Sequence, residues 1–434
     1  MLAFLRRQPP VRIIAAGFAL VILLGSLLLM LPCSVKDGVH LRYIDALYTS
    51  TSAVCVTGLI AADAGDTFTV VGQIILALLI QIGGLGVTAV GAGVILAMGK
   101  KMNLRGRNLI QEAGNLDSGH GVVRFVRSVF LTTLIFELCG AVLSFCVFVR
   151  DYPLPRAIGI SLFHSVAAFN NSGFDILGGG QNLIPYRDDI LLNLVTCGLI
   201  FFGGIGFLVI REMVKHKWHW KRYSMHARVV LSVSGVLTLL GTLLVKLTER
   251  GNITWLGAFF ASVTARTAGF STFSFADFSV AGLLVMMVLM FIGASPGSTG
   301  GGIKTSSFFV LCRGVHAAAS GRSEKAFHYA IPREAFRKAA VIAALALSAI
   351  TVSTVAISIL EPTLGLEDVL FEMVSAFGTV GLSTGITAGL TVPSKLISIG
   401  MMYIGRLGPL TIASLWHFGG IERVRYPEGN ISIG

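Results

Sequence analysis

Long apolar runs make up most of the chain, and short polar stretches separate them. The runs lie near 12–32, 70–98, 128–149, 189–213, 227–247, 280–311, 338–360 and 394–418. A helix of about 20 apolar residues crosses the hydrocarbon core of a bilayer. The pattern therefore predicts an all-α polytopic membrane protein with eight transmembrane helices.

A shorter apolar segment lies within each successive pair of runs, at 43–55, 158–170, 254–265 and 367–377. At about 1.5 Å per residue, such a segment reaches only about half-way through the membrane. Each segment leads to a glycine that precedes Leu or Phe. These glycines are Gly58, Gly173, Gly269 and Gly381. The order predicts four tandem repeats of a span, a pore helix, a filter loop and a second span.

We place the four repeats at 1–99, 100–222, 223–325 and 326–434, the last of which includes a C-terminal tail. A second glycine phrase supports this division, because its first glycine follows each of the four loop glycines by 24 to 30 residues. The phrases begin at Ile82, Phe202, Ile292 and Ile404. Glycines in membrane helices allow close helix contact, and we interpret most of these as packing positions.

Composition agrees with a membrane protein, since 54% of the 434 residues are hydrophobic and 13% are charged. Lys and Arg accumulate in cytoplasmic loops, which explains the net charge of +12 without a nucleic-acid partner. Most of the basic residues lie at the termini and between the repeats. This distribution predicts that both termini lie in the cytoplasm. We find no cluster of catalytic or metal-binding residues, so a membrane enzyme is not favoured.

The four glycine loops indicate a cation pore. Non-helical backbone is tolerated at membrane depth only where it is buried in protein or lines a watery cavity. The four loops, one from each repeat, therefore point inward together around a pseudo-four-fold central pore. Their carbonyl oxygens can replace the hydration shell of an ion, and each pore helix points the negative end of its dipole at the centre. The predicted filter consists of Cys55, Val56, Thr57 and Gly58; Asn170, Asn171, Ser172 and Gly173; Arg266, Thr267, Ala268 and Gly269; and Gly378, Thr379, Val380 and Gly381.

Arg406 is the first candidate for a gate, because it lies in the middle of the last apolar run. A charge at mid-membrane costs about 2.5 kcal/mol or more and normally faces a cavity or a partner. Arg406 stands where the first two repeats have Gly84 and Gly204. We interpret it as a positive charge below the filter. The alternative is a buried ion pair with Glu137 or Glu372 that only holds helices together.

A glycine-rich stretch at 293–305 is the second candidate, because it interrupts the sixth run. Proline and several glycines cannot sustain a regular helix there. We expect an intramembrane loop with gating residues Gly293, Ser295, Pro296, Gly297, Gly300, Gly301, Gly302 and Lys304. The alternative is a structural kink without a gating role.

The fourfold plan of span, pore helix, glycine loop and span resembles the Trk/Ktr/HKT superfamily of potassium transporters. Eight spans without additional leading helices are most similar to the membrane subunit of Ktr-type uptake systems. The resemblance implies K⁺ at filter backbone carbonyls, and Gly58 at the first filter position agrees with potassium rather than sodium. It also implies a gating loop below the filter, an arginine at the position of Arg406 and a location in the bacterial inner (plasma) membrane. The partners it implies are a second copy of the chain and a cytosolic ring of regulatory subunits that bind ATP/ADP or NAD.

We therefore expect the ion-translocating subunit of a potassium uptake system, controlled by a cytosolic regulatory subunit. The alternative is a secondary active symporter coupled to Na⁺ or H⁺. Alternating access usually accompanies two inverted repeats, whereas this sequence shows four parallel ones. For the tail at 428–434, insertion at a dimer interface and disorder both stay open.

Overall fold

The computed structural model of the chain describes residues 9–97, 121–217, 219–321 and 323–415. Helices occupy most of these residues. The prediction for the tail at 428–434 concerns residues outside the described part.

The elements are numbered in chain order. Residues 9–97 contain α1 (Pro10–Leu29), α2 (Tyr43–Val54), α3 (Ala64–Thr67), α4 (Val70–Leu85) and α5 (Val87–Ala97). Residues 121–217 contain α6 (Val122–Phe148), α7 (Leu154–Phe169), α8 (Ile190–Ile205) and α9 (Phe207–His216). Residues 219–321 contain α10 (Met225–Thr248), α11 (Trp255–Thr264), α12 (Val280–Phe291) and α13 (Thr305–Ser320). Residues 323–415 contain a hairpin of β1 (Lys325–Ala326) and β2 (Tyr329–Ala330), then α14 (Arg333–Leu360), α15 (Leu366–Gly378), α16 (Val392–Leu407) and α17 (Pro409–Ser414).

Four helices in the described part are long and apolar enough to cross a membrane without a break: α1, α6, α10 and α14. Two further pairs reach that length only together, and both are sharply bent. The bend is 99° between α4 and α5 and 102° between α8 and α9. The described part thus contains up to six spans by length and composition. The larger number of eight spans stays a prediction.

The second spans predicted at 70–98, 189–213 and 394–418 do not form continuous helices, because each is broken at a glycine. Gly86, Gly206 and Gly408 have φ angles of 86°, 92° and 90°. Glycine adopts such angles readily, but they end an α-helix. The interruption at 293–305 is present, between α12 and α13.

The first glycines of the second phrase are packing positions, as the sequence indicates. A Cβ atom on Gly83, Gly203 or Gly405 would lie less than 3.0 Å from the last carbonyl oxygen, or the last but one, of a half-length helix. Helices α4, α8 and α16 therefore cross directly against the ends of the half-length helices α2, α7 and α15.

The half-length helices α2, α7, α11 and α15 form the centre of the molecule. From their second turn onward, most of their residues are buried. The long helices have exposed apolar side chains instead, such as Leu134, Leu239 and Ile359. Broad apolar exposure of this kind is typical of a surface that contacts lipid. The chain is therefore a multi-pass membrane protein with its half-length helices inside.

Contacts between the first and last parts of the chain close the bundle. The Lys395 ammonium lies 2.7 Å from the Asp45 carboxylate, and Tyr48 and Ser398 are hydrogen-bonded at 2.9 Å. Asp45 lies in the first turn of α2 and Lys395 in the first turn of α16. The side chains thus join α2 and α16 at two successive turns.

Candidate functional site

The four glycine loops that follow the half-length helices share one backbone conformation. The residue two before the glycine has a positive φ, which is uncommon for a residue with a side chain. These residues are Val56 (57°), Asn171 (57°), Thr267 (70°) and Thr379 (49°). The glycines follow with φ of 96° at Gly58, 70° at Gly173, 80° at Gly269 and 94° at Gly381. Four segments with unrelated side chains therefore share one unusual backbone path.

The four loops contact one another in a closed ring. Each glycine lies against the carbonyl oxygen of the residue just before the glycine of a neighbouring loop. The contacts run from Gly58 to Ser172, from Gly173 to Ala268, from Gly269 to Val380, and from Gly381 back to Thr57. A Cβ atom on any of these glycines would stand closer than 3.0 Å to that oxygen, which real Cβ atoms essentially never do. Glycine is therefore required here both by conformation and by space.

Hydroxyl groups of the pore helices hold the loops in this conformation. The amide of Gly58 donates to Ser52 Oγ at 3.0 Å, and that of Gly381 donates to Ser375 Oγ at 3.1 Å. Both serines lie six residues before the glycine. Sequence reasoning missed them, although the shared spacing was a signal that could have identified them. These two serines hold the backbone of the first and fourth loops against their own half-length helices.

Two predicted filter residues direct their side chains into the helix bundle. Asn170 Nδ2 donates to Gln81 Oε1 at 2.8 Å and to Glu137 Oε1 at 3.0 Å. Arg266 donates to Ser234 Oγ at 2.9 Å. These side chains support the loops from the flanking helices, and only their backbone can contribute to the ring.

The predicted intramembrane loop, Gly293–Thr305, begins and ends at the same place, because Ile292 and Ile303 pair as a parallel β-bridge. Its backbone bonds extend to α8, with Ser295 N to Gly204 O at 3.0 Å and Thr299 N to Gly203 O at 3.2 Å. The carbonyl of Gly297 accepts from Phe207 N at 3.1 Å, at the start of α9. The loop thus fills the angle of the bent pair α8 and α9, with Pro296 between the anchor residues Ser295 and Gly297.

The same loop contacts the ring directly. The amide of Gly301 donates to Thr379 Oγ1 at 3.0 Å, and Gly300 packs against the Thr267 side chain. Lys304 turns back on the loop, where Nζ donates to Gly300 O at 2.7 Å. Gly293 and Gly302 pack against each other where the loop closes. The structure therefore brings the predicted gate residues together with the third and fourth filter loops.

Arg406 connects the loop to the first repeat. Its guanidinium donates to the carbonyl oxygens of Thr299, Gly83 and Gly84. Glu137 instead contacts Asn170, and Glu372 accepts from Thr387. Among the described residues, Arg406 has no carboxylate within ion-pair distance. The alternative of an ion pair with Glu137 or Glu372 is therefore wrong.

Two cavities lie on opposite sides of the ring. One of about 400 Å³ is lined by Gly58, Gly269 and Gly381 together with Asp63. The other, of about 260 Å³, is lined by Arg406 and Lys304, with the intramembrane loop forming part of its wall. We call them the upper and the lower cavity. In the loop above the ring, burial raises the pKa of Asp175 to about 6. Among the charged residues that line the two cavities, Lys304 and Arg406 line the lower one and Asp63 lines the upper one.

Comparison with known proteins identifies the family. The family model described as TrkH, cation transport protein, matches residues 5–417. The chain belongs to this family. It is 36% identical to the potassium/sodium uptake protein NtpJ of Enterococcus hirae, over 99% of this chain and 98% of the relative. It is 37% identical to the Ktr system potassium uptake protein B of Bacillus subtilis, over 100% of this chain and 98% of the relative.

The fold is similar to that of the potassium transporter TrkH from Vibrio parahaemolyticus. The TM-score is 0.74 at 18% sequence identity, over 95% of this chain and 86% of the solved one. The resemblance to the Trk/Ktr superfamily is therefore confirmed. Membership also makes this chain a cation transport protein rather than an enzyme.

Proposed function

We propose that this chain is the ion-translocating subunit of a potassium uptake system of the Ktr type. The observation that carries the proposal is the closed ring of four glycine loops at the ends of four buried half-length helices. Two relatives that align over almost their whole length have potassium uptake in their names. K⁺ is the transported ion and is held by backbone oxygens, without another cofactor.

Selection takes place at the ring. A potassium ion sheds its water and is coordinated by carbonyl oxygens, among them those of Thr57, Ser172, Ala268 and Val380. The four pore helices end at the ring, so the negative ends of their dipoles stabilise the cation. The neighbouring loop residues, from Cys55, Asn170, Arg266 and Gly378 onward, complete the filter through their backbone.

The intramembrane loop and Arg406 form the gate. The loop contacts Thr267 and Thr379 from the lower side, where a leaving ion has to pass. Arg406 adds a positive charge beside the loop and raises the electrostatic barrier for a cation. Opening requires the loop to exchange its bonds to α8 and Thr379 for others.

A cytosolic regulatory subunit controls this exchange. It binds ATP/ADP or NAD, forms a ring and contacts a homodimer of this chain. The supporting observation is that two relatives, from Bacillus subtilis, are named as the B and D proteins of Ktr systems. A regulator shifts the gate only as far as it binds the open state more tightly than the closed state.

The arrangement in the membrane completes the proposal. Four tandem repeats, with eight spans of which the second in each repeat is broken, surround the pore. The chain lies in the bacterial plasma membrane with both termini in the cytoplasm, so the upper cavity faces outward. An alternating-access symporter is not favoured, because that mechanism usually accompanies two inverted repeats, whereas four parallel glycine loops pack here into one closed ring.

Flux measurements on the purified protein in liposomes test this function. Potassium or rubidium uptake is measured with and without the regulatory subunit, and sodium uptake is measured under the same gradient. Potassium and rubidium fluxes are expected to exceed sodium flux, and the regulator is expected to change the rate. Equal fluxes of potassium and sodium through folded protein would overturn the selectivity claim. Protein-free liposomes measure the background leak.

A further inference from the structure

The segment at 176–183, which follows the second filter loop, joins three parts of the molecule above the ring. Three consecutive glycines in it have positive φ, which lets the backbone fold back. The amides of Gly179 and Gly180 donate to the carboxylates of Asp66 and Asp63 at 2.7 and 2.9 Å. The segment is thereby attached to the loop that follows the first filter.

Asn182 lies near the end of this segment and contacts the ring. Its side chain is buried, and its own φ is 51°. Nδ2 donates to the carbonyl oxygen of Gly173 at 3.0 Å, while Oδ1 accepts from the amide of Ser271 at 3.1 Å. Leu183 N also donates to Ser271 O at 3.1 Å. One amide side chain thus connects the second filter glycine to the segment directly after the third.

The hydrogen bond from Asn182 to the Gly173 carbonyl distinguishes the second filter loop from the other three. In the part of the chain that the structure describes, no other filter glycine has a side chain donating to its carbonyl oxygen in this way. The peptide plane next to a glycine turns easily about the φ and ψ angles of that glycine, because glycine has no Cβ atom and populates both signs of φ. Without the Asn182 donor, the Gly173 carbonyl would lose the side-chain hydrogen bond that holds it in its observed direction.

We propose that Asn182 is a positioning residue that sets the ion preference of the ring by fixing the direction of the Gly173 carbonyl. This inference rests on the proposed function as a cation filter. Discrimination between K⁺ and Na⁺ depends on the number, field strength and freedom of the coordinating carbonyls. A carbonyl held by Asn182 cannot turn to close around a smaller ion. Loss of the bond frees it to do so.

The variant Asn182→Asp tests the proposal with little change in volume. It replaces the Nδ2 donor by an oxygen that repels the Gly173 carbonyl, and it keeps an acceptor for Ser271. The matched control is Asn193→Asp. Asn193 is also buried, and its Nδ2 donates to Asp189 O at 2.7 Å and Tyr186 O at 2.9 Å, away from the ring. Liposome flux gives three readouts: the half-saturating K⁺ concentration, the ratio of K⁺ to Na⁺ flux, and the maximal rate.

For Asn182→Asp, we expect the ratio of K⁺ to Na⁺ flux to fall about five- to tenfold. A change of this size corresponds to the net free energy of about one hydrogen bond. The half-saturating K⁺ concentration rises by a similar factor. Asn193→Asp lowers the yield or the maximal rate but keeps the ratio. An unchanged ratio in Asn182→Asp overturns the inference, provided that the unmodified protein selects K⁺. Failure of the unmodified protein to select K⁺ contradicts the proposed function itself.

Asn182→Ala provides a milder second variant, since it removes the donor without adding charge. We expect it to lower the same flux ratio, by less than Asn182→Asp. If neither variant yields a single folded species by gel filtration, Asn182 serves folding rather than ion choice, and the inference is wrong.

Discussion

Each of the four ring glycines combines a positive φ with close packing against a carbonyl oxygen of the neighbouring loop in the ring. Gly385 provides the comparison: its φ of 100° is close to the 94° of Gly381, but a Cβ atom on it would meet nothing within 4 Å. Substitutions at Gly381 and Gly385 therefore distinguish the effect of packing in the ring from the effect of backbone strain alone.

Gly381→Ser is expected to weaken potassium preference and uptake affinity strongly, because its Cβ atom collides with the carbonyl of Thr57. Gly385→Ser introduces the same strain, about 1–2 kcal/mol, but leaves the ring intact. We predict lower stability with normal selectivity for that control. Potassium and sodium fluxes in liposomes measure both effects. Normal selectivity in folded Gly381→Ser protein would place the filter elsewhere.

In the proposed gate, Arg406 contributes a positive charge beside the intramembrane loop. Arg406→Ala is expected to raise the basal potassium flux without the regulator about tenfold, since it removes both a buried cation and its bonds to Thr299 and Gly83. Arg406→Lys keeps the charge, so its basal flux stays within about threefold of the unmodified protein. If folded Arg406→Ala protein leaks no more than the unmodified protein, Arg406 is not part of the gate.

At the scale of elements, the sequence indicates the pore helices and their loops closely. Predicted segments at 43–55 and 254–265 correspond to helices Tyr43–Val54 and Trp255–Thr264. Their ends were predictable because a glycine loop follows each of them. The loop at 293–305 was also predictable, since its glycines and proline cannot continue a helix.

The breaks at Gly86, Gly206 and Gly408 were not predictable in the same way. A single glycine in an apolar run is compatible with a packed membrane helix, and the break depends on which φ the surroundings impose. At Gly206, those surroundings are the loop residues Pro296 and Gly297, which lie almost a hundred residues further along the chain. Contacts so distant in sequence leave no local pattern.

The intramembrane loop depends on Thr379 for its contact with the fourth filter loop. Thr379→Val keeps the shape but removes the acceptor, which leaves the amide of Gly301 buried without a partner. We predict a basal flux about five- to tenfold higher, with an unchanged ratio of potassium to sodium flux.

Thr384→Val is the matched control, because the Thr384 hydroxyl is buried without a partner in the same repeat. Its flux should equal that of the unmodified protein. If the basal flux of the Thr379→Val protein is as low as that of this control, other contacts hold the loop in place.

At the scale of the whole molecule, the ring stays closed only if the first and last repeats stay together. Lys395 is completely buried and pairs with Asp45 on the first pore helix. Sequence analysis identified neither the partner nor the burial, because 350 residues separate the two. The pair holds α16, and with it Arg406, against the first pore helix.

Asp45→Asn leaves the Lys395 ammonium buried without a carboxylate, which costs about 3–5 kcal/mol. We predict a large fall in melting temperature in detergent, and a smaller one for the double variant Asp45→Asn with Lys395→Met. Asp188→Asn breaks the exposed pair with Arg187 instead and should leave the melting temperature unchanged. Equal melting temperatures for Asp45→Asn and Asp188→Asn would show that the buried pair does not close the bundle.

The central claim is that one cation site lies inside the ring of four glycine loops. Its most direct test is the anomalous diffraction of crystals grown with Rb⁺ or Tl⁺ in place of K⁺. The account predicts a peak within the ring, among the carbonyl oxygens of Thr57, Ser172, Ala268 and Val380. A transport-competent protein whose ring shows no peak, while ions are bound elsewhere in the chain, would contradict it.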